Sequence, residues 1–205
     1  MIDGFFKHHI DPHWDRLAKP LAKIMTANQV TVLGLTLVLA SCAVLFLHRT
    51  PALLSICLAA SFACDSLDGA VARLRGETSK FGGYMDAIVD RYQELAVFCT
   101  IAIYSHVWPA AMVAFAGAML TSYAKARTAI ETPIDNAAWP DLFERQERVI
   151  YLCLLLLATS TLPYWGWAEA VILNAGLWLL AVLCHLTAVQ RFWRAKAILQ
   201  SIDKS

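Results

Sequence analysis

Residues 64–94 read CDSLDGAVARLRGETSKFGGYMDAIVDRYQE, and the fold is decided here. The stretch joins the end of one apolar segment, about residues 51–71, to the start of the next, about 83–104. Asp65 and Asp68 are three residues apart, so they share a face at the end of the first helix. Asp86 and Asp90 are four apart and share a face at the start of the second. The connection is short, which makes the two helices antiparallel neighbours and brings four carboxylates to one end of a bundle.

Outward from this stretch the chain is apolar. Of its 205 residues 59% are hydrophobic and only 16% charged, where a soluble domain carries about a quarter. Runs of about 18–25 apolar residues recur, each long enough to cross ~30 Å of hydrocarbon as a helix. Six spans are expected, at about 28–47, 51–71, 83–104, 107–123 (extending through Arg127), 149–164 and 167–192. The expected fold is therefore an all-α integral membrane protein with one six-helix domain, residues 26–205.

Residues 1–25 are too polar to span. Asp11-Pro12 reads as an N-cap followed by proline at the first helical position. Ile10, Trp14, Leu17, Leu21, Ile24 and Met25 then share one face, with Arg16, Lys19 and Lys23 elsewhere. That pattern predicts an amphipathic helix lying at the membrane interface. No cleavable leader is expected from so charged a start.

Basic residues orient the bundle. Lys7, Arg16, Lys19 and Lys23 precede the first span; Arg73, Arg75 and Lys80 follow the second. Lys125, Arg127, Arg145 and Arg148 lie between the fourth and fifth, and Arg191, Arg194, Lys196 and Lys204 at the end. The other side carries Arg49. Both termini and the carboxylates are expected on the cytoplasmic side, of a bacterial inner membrane. Trp108, Trp139, Trp165, Trp167 and Trp193 fit interfacial belts. The six cysteines show no ligand spacing and read as buried thiols. A net charge of +1 by itself says nothing about nucleic acid, and no such partner is expected.

Four ionised aspartates are expensive in a membrane, at roughly 2.5–3.5 kcal/mol each near a helix centre and less at the interface. A divalent cation, or two, offsets both that cost and the mutual repulsion. All-oxygen ligands suit Mg²⁺, Mn²⁺ or Ca²⁺ rather than Zn²⁺. A plainer alternative pairs the carboxylates with Arg73, Arg75, Lys80 and Arg91 in a structural network. Small residues favour a site: Gly69 and Ala72 leave the helix bare beside the carboxylates, and Gly82 lies one turn before Asp86. Metal, bare backbone and a flanking arginine together suit a phosphate or diphosphate. His185 reads as a hydrogen-bonded core residue, and His8, His9 and His13 as part of the interfacial helix.

The run Asp65-x2-Asp68-Gly69-x2-Ala72-Arg73-x8-Gly82-x3-Asp86-x3-Asp90 resembles the whole motif of the CDP-alcohol phosphotransferase family. Eight fixed positions at fixed spacing arise by chance at about 10⁻¹⁰ per start position. The resemblance covers the whole chain, since the family also has an N-terminal surface helix and six spans. It implies transfer of a phosphatidyl group from CDP-diacylglycerol to a polar alcohol, with release of CMP, in phospholipid biosynthesis. It implies two Mg²⁺ or Mn²⁺ ions, one on Asp65, Asp68 and Asp86, the other on Asp65, Asp86 and Asp90, with Asp90 also the general base. It further implies a nucleotide pocket of Asp68, Gly69, Ala72, Arg73 and Gly82, with Ser79 as a further contact, and a homodimer. Asn28 and Thr31 resemble another nucleotide-contacting segment, with Ala27 in place of its usual proline.

Asp86-Ala-Ile-Val-Asp90-Arg91-Tyr-x-Glu94, Ser122-Tyr-Ala-Lys125-Ala-Arg127 and Glu144-Arg145-x-Glu147-Arg148 resemble the inositol-phosphate-accepting branch. In that branch three cations grip the acceptor's phosphate; the matching residues are Lys125, Arg148 and Arg191. The linker 128–143 departs from a glycine-rich connection, and Gln146 stands where proline is favoured. Glycerol phosphate, free inositol and serine remain open as acceptors. A cation transporter would instead need carboxylates deeper in the membrane and a polar exit path, and the third to sixth spans offer almost no ionisable groups there.

Overall fold

The computed structural model describes residues 7–134, 139 and 141–203, with side chains from residue 14 onward. The described residues form helices and no strand. They are α1 (Lys7–Ile24), α2 (Ala27–His48), α3 (Pro51–Arg75), α4 (Lys80–Ser105), α5 (Trp108–Glu131), α6 (Arg145–Thr161) with a 3₁₀ turn (Leu162–Trp165), and α7 (Glu169–Ile202). The six helices expected from hydropathy are all present. Two run on past their apolar segments: α5 to Glu131 and α7 to Ile202.

Local chemistry explains the boundaries. Thr26 and Gln29 form a reciprocal capping box at the start of α2. Pro51 and Pro109 sit in the first turns of α3 and α5, where a missing N–H costs nothing. Gly76 ends α3 in the left-handed region (φ 67°), and the N–H of Glu77 closes onto Ala72. Ser79 then caps α4, accepting from the Gly82 N–H at 3.0 Å. Two helix breaks within four residues turn the chain back on itself between the two aspartate pairs.

Four of these helices, α2, α3, α6 with its 3₁₀ turn, and α7, are long and apolar enough to cross a membrane. The other two have the length, 26 residues in α4 and 24 in α5. Neither holds an apolar stretch as long as those of the other four, for physical reasons. The start of α4 carries Asp86, Asp90, Arg91 and Glu94, and the inner face of α5 is built from Ala110, Ala111, Ala114, Gly117 and Ala118. That small-residue face lets α7 approach closely: a Cβ on Gly117 would lie 2.8 Å from Cys184 Cβ. Thr121 Oγ1 reaches across to the Cys184 carbonyl at 3.0 Å.

The main core draws Leu45, Leu54, Phe98, Ile101, Leu156, Leu173, Leu177 and Leu180 from α2, α3, α4, α6 and α7. Outside, Leu39, Ile56, Ile103, Leu120, Leu154, Leu179 and Leu186 face outward, an apolar surface suited to hydrocarbon and not to water. The fold is that of an integral membrane protein. All six cysteines are free, but only Cys42 and Cys184 are fully buried, and His185 is half-buried rather than a core residue, its Nε2 3.2 Å from the Val113 carbonyl.

Three expectations change. The first helix begins at Lys7, so Asp11 is not its cap and Pro12 lies inside it. The side chains of His8, His9 and His13 lie outside the described residues. The protein-facing side of α1 is Trp14, Ala18, Leu21 and Ala22, packed on Val30, Leu67, Ala70 and Val71. Leu17 and Ile24, assigned to the same face by periodicity, are 58% and 77% exposed, because α3 takes up the adjacent stripe. Trp139 is not an interfacial tryptophan. It is only 2% exposed, with the Arg194 guanidinium of α7 5.7 Å from its ring.

Candidate active site

The carboxylates gather where α3 ends and α4 begins. Asp65, Asp86 and Asp90 each offer an oxygen within 4.8 Å of the others. Asp68 stands apart from this group: it is buried and accepts a 2.6 Å hydrogen bond from the Thr31 hydroxyl of α2. Of the four aspartates, three therefore face one another and the fourth faces α2.

Beside Asp68 lies a cavity of about 290 Å³. Its walls include Asn28, Thr31, Asp68, Gly69, Ala72, Arg73, Ser79 and Gly82, which are all eight residues expected around a nucleotide, and Asp86. Asp86 thus belongs both to the cavity and to the carboxylate group. The N-termini of α2 and α4 both abut this space, and their free N–H groups favour an anion. A larger cavity, about 520 Å³, lies at the opposite helix ends around Arg49, His106 and Glu169. It is remote from every carboxylate of the cluster.

Glycines keep the first cavity open. A Cβ on Gly82 would sit 3.2 Å from Ser79 Oγ and 3.6 Å from Asn28 Oδ1, so glycine lets α4 begin against α2. Around Gly69 the nearest atom to a Cβ would be the tip of Arg73, 3.8 Å away. Gly69→Leu should therefore fold normally while filling the cavity. We expect an unchanged melting temperature and at least a tenfold loss of cytidine-nucleotide affinity, about 1.4 kcal/mol. Calorimetric titration with the nucleotide checks it, and wild-type affinity would show that the cavity is not used.

Residues not singled out in the sequence complete the site. Arg145 Nη2 lies 2.5 Å from Asp65 Oδ2 and 2.7 Å from Asp90 Oδ1, while donating to Gln93 Oε1 at 2.7 Å. Gln93 in turn donates to Asp65 Oδ1 at 3.1 Å. The ring of Phe62 lies 5.1 Å below the guanidinium. Gly34 lets α2 approach, since a Cβ there would stand 3.3 Å from Asp65 Oδ1. Asp15 of α1 holds Arg73 at 3.0 Å, tying α1 to the cavity mouth.

The alternative network of Arg73, Arg75, Lys80 and Arg91 is met in part, through Arg91 and Asp90. Arg73 and Arg75 pair with Asp15 and Glu77. Arg91 lies 3.6 Å from Asp90 and 2.9 Å from Glu94. The arginine at the centre of the cluster is Arg145. Even so, Asp65 Oδ2 and Asp90 Oδ1 lack an aligned hydrogen-bond donor although both are buried. Closely spaced carboxylates with unfilled lone pairs fit a divalent cation.

The three candidate acceptor residues fall into two groups. Lys125 and Arg191 both approach Glu144, at 3.9 and 3.8 Å. Arg191 also binds the Thr121 carbonyl and lies 2.5 Å from Asp141, a linker carboxylate that is 1% exposed. Arg148 forms the other group, buried against Glu94 at 2.8 Å.

Fold and site together define a helical membrane protein with an acidic centre and an anion-sized cavity at one end of its bundle. The CDP-alcohol phosphatidyltransferase family model matches residues 24–189. An archaetidylinositol phosphate synthase of Pyrococcus horikoshii is 30% identical, over 91% of this chain and 92% of its own. A phosphatidylinositol phosphate synthase of Mycobacterium tuberculosis is 34% identical, over 85% of this chain and 82% of its own. Crystal structures of a Mycobacterium tuberculosis phosphatidylinositol phosphate synthase superpose with TM-score 0.73 (with CDP-DAG bound) and 0.77 (with manganese and citrate). They are 29% and 28% identical and cover 89% of this chain, and 92% and 88% of theirs. The chain belongs to the CDP-alcohol phosphatidyltransferase family and is a transferase of phospholipid biosynthesis.

Proposed function

We propose that this enzyme transfers the phosphatidyl group of CDP-diacylglycerol to inositol phosphate, releasing CMP. The observation that carries the reading is Asp86, shared between the cavity of expected nucleotide contacts and the group of three carboxylates. A donor whose cytidine fills that cavity delivers its diphosphate to the acidic centre. The relatives named for inositol phosphate acceptors support the choice of alcohol, as does the collection of cations on α5, α6 and α7.

In this reading Asn28, Thr31, Gly69, Ala72, Arg73, Ser79 and Gly82 hold the nucleotide. Asp90 takes the proton from the acceptor hydroxyl, whose oxygen attacks the β-phosphorus in line. The bond from that phosphorus to the CMP oxygen breaks as the new one forms, and CMP leaves with the electron pair. Magnesium or manganese, one ion or two, would be held by Asp65, Asp68, Asp86 and Asp90 and would neutralise the charge of the diphosphate. Lys125 and Arg191, with Arg148 behind them, offer the acceptor's phosphate its counter-charge.

All six helices α2–α7 cross the membrane, with the termini and site on the cytoplasmic side and α1 lying on the surface with Leu17 and Ile24 turned to lipid. A lipid donor then enters sideways and a water-soluble acceptor from below, and the enzyme works as a homodimer.

The test supplies purified enzyme with CDP-diacylglycerol, Mg²⁺ or Mn²⁺, and in turn inositol phosphate, glycerol phosphate, inositol and serine, and measures CMP. Release with inositol phosphate alone is expected; release with another alcohol alone reassigns the acceptor, and none with any sinks the reading. Lys125→Ala, at a partly exposed position, should raise the KM for inositol phosphate about tenfold or more, the worth of one hydrogen bond to a charged group. The donor KM should stay the same. An unchanged acceptor KM would remove Lys125 from the acceptor site.

A further inference from the structure

Arg145 occupies the acidic centre in an unusual manner. Arginine normally grips a carboxylate through two parallel N–H bonds. Here one nitrogen, Nη2, lies within 2.7 Å of oxygens from both Asp65 on α3 and Asp90 on α4. Its aligned hydrogen bond goes to Gln93, and the two facing carboxylate oxygens have no aligned donor. The contact is close and non-directional, as contacts to a metal ion are, and it bridges two helices as an ion would. A guanidinium also leaves these carboxylates incompletely neutralised, since Asp86 lies within 4.8 Å of the same pair.

A small space adjoins the guanidinium. A small cavity of about 40 Å³ is bordered by Arg145 itself, Phe62, Glu94 and Val149. It is about the volume of one water molecule or a little more.

We propose that Arg145 is a resident counter-ion of the acidic centre, a guanidinium that bridges Asp65 and Asp90 in the metal-free chain and competes with the divalent ion for them. The proposal rests on the metal-binding part of the function above. Its physical content is an exchange: the ion gains the two carboxylates only when the positive charge of Arg145 is displaced from them. The same exchange keeps the empty site from carrying buried unpaired negative charge, and so lets the bundle fold before it is loaded.

The test titrates full-length protein in detergent with Mn²⁺, reading free ion by its electron paramagnetic resonance signal. Arg145→Gln should bind Mn²⁺ about tenfold more tightly than wild type, because a competing charge within about 4 Å is gone. In EDTA the same variant should unfold at a lower temperature than wild type, with the gap narrowing in saturating Mn²⁺. Arg145→Met, which retains an unbranched chain to pack on Phe62, is purified in Mn²⁺ to secure a folded comparison and should behave likewise. Equal or weaker Mn²⁺ binding by a folded neutral variant overturns the proposal while leaving the metal site standing. No Mn²⁺ binding by wild type overturns the metal reading and this proposal together.

Discussion

Asp90→Asn is expected to lower kcat by about 10³-fold, within the range of a lost general base, while sparing the donor. Asparagine keeps the volume of the side chain, so its packing between Arg145 and Arg91 survives. It cannot take a proton. None of the walls of the donor cavity is Asp90, so nucleotide affinity should stay within about threefold of wild type. A lost metal ligand would also slow the reaction, and the two causes separate on titration. If Asp90 serves only as a ligand, raising Mn²⁺ restores turnover; if it is the base, turnover stays low at every Mn²⁺ concentration. CMP release at saturating substrates, with calorimetric titration of the nucleotide, reads both quantities. Unchanged turnover removes Asp90 from the chemistry altogether.

The helices were legible in the sequence because they depend on short-range information, and the residues lining the cavity beside Asp68 because they fall in a motif that resembles a family's. Spacing of three and four places the aspartates on helix faces, and Gly76 and Ser79 mark the turn that sets those faces against each other. What the sequence hid is held by pairs far apart in the chain. Asp141 is one acidic residue in a polar linker, and nothing local marks it as the partner of Arg191, 50 residues on. Trp139 looked interfacial for the same reason, since its cover is Arg194 of α7. Arg145 reads in the sequence as a cytoplasmic charge within a stretch that resembles the inositol-phosphate-accepting branch, with no role of its own. A cue existed, as Arg145 and Arg148 are three apart and share a helix face, but only the packing of α6 on α3 turns that face to the aspartates. Gly34 and Gln93 could not be found by motif at all, because their work is to let α2 approach and to hold Asp65.

Glu94→Ala should cost about 3–5 kcal/mol of stability, the penalty for stranding a buried charge. Glu94 is 7% exposed and Arg148 3%. One carboxylate oxygen accepts from Arg148 at 2.8 Å, and the other faces Arg91 at 2.9 Å. Truncation would leave two guanidinium groups close together with no counter-charge between them. For a chain of this size that corresponds to a fall in melting temperature of about 10 °C. Thermal unfolding in detergent, followed by circular dichroism, measures it. The double variant Glu94→Ala/Arg148→Met should recover part of the loss, since a neutral pair removes the stranded charge. A double variant as unstable as the sum of the single ones would mean that the pair is not coupled. The result also decides how Arg148 is to be understood. An arginine held mainly for the acceptor's phosphate would, when changed to alanine, raise the acceptor KM and leave the melting temperature alone. One that neutralises Glu94 would lower the melting temperature first, and its effect on the acceptor would follow from the collapse of the α4–α6 contact. With 2.8 Å geometry and almost no exposure, the structure favours the second outcome.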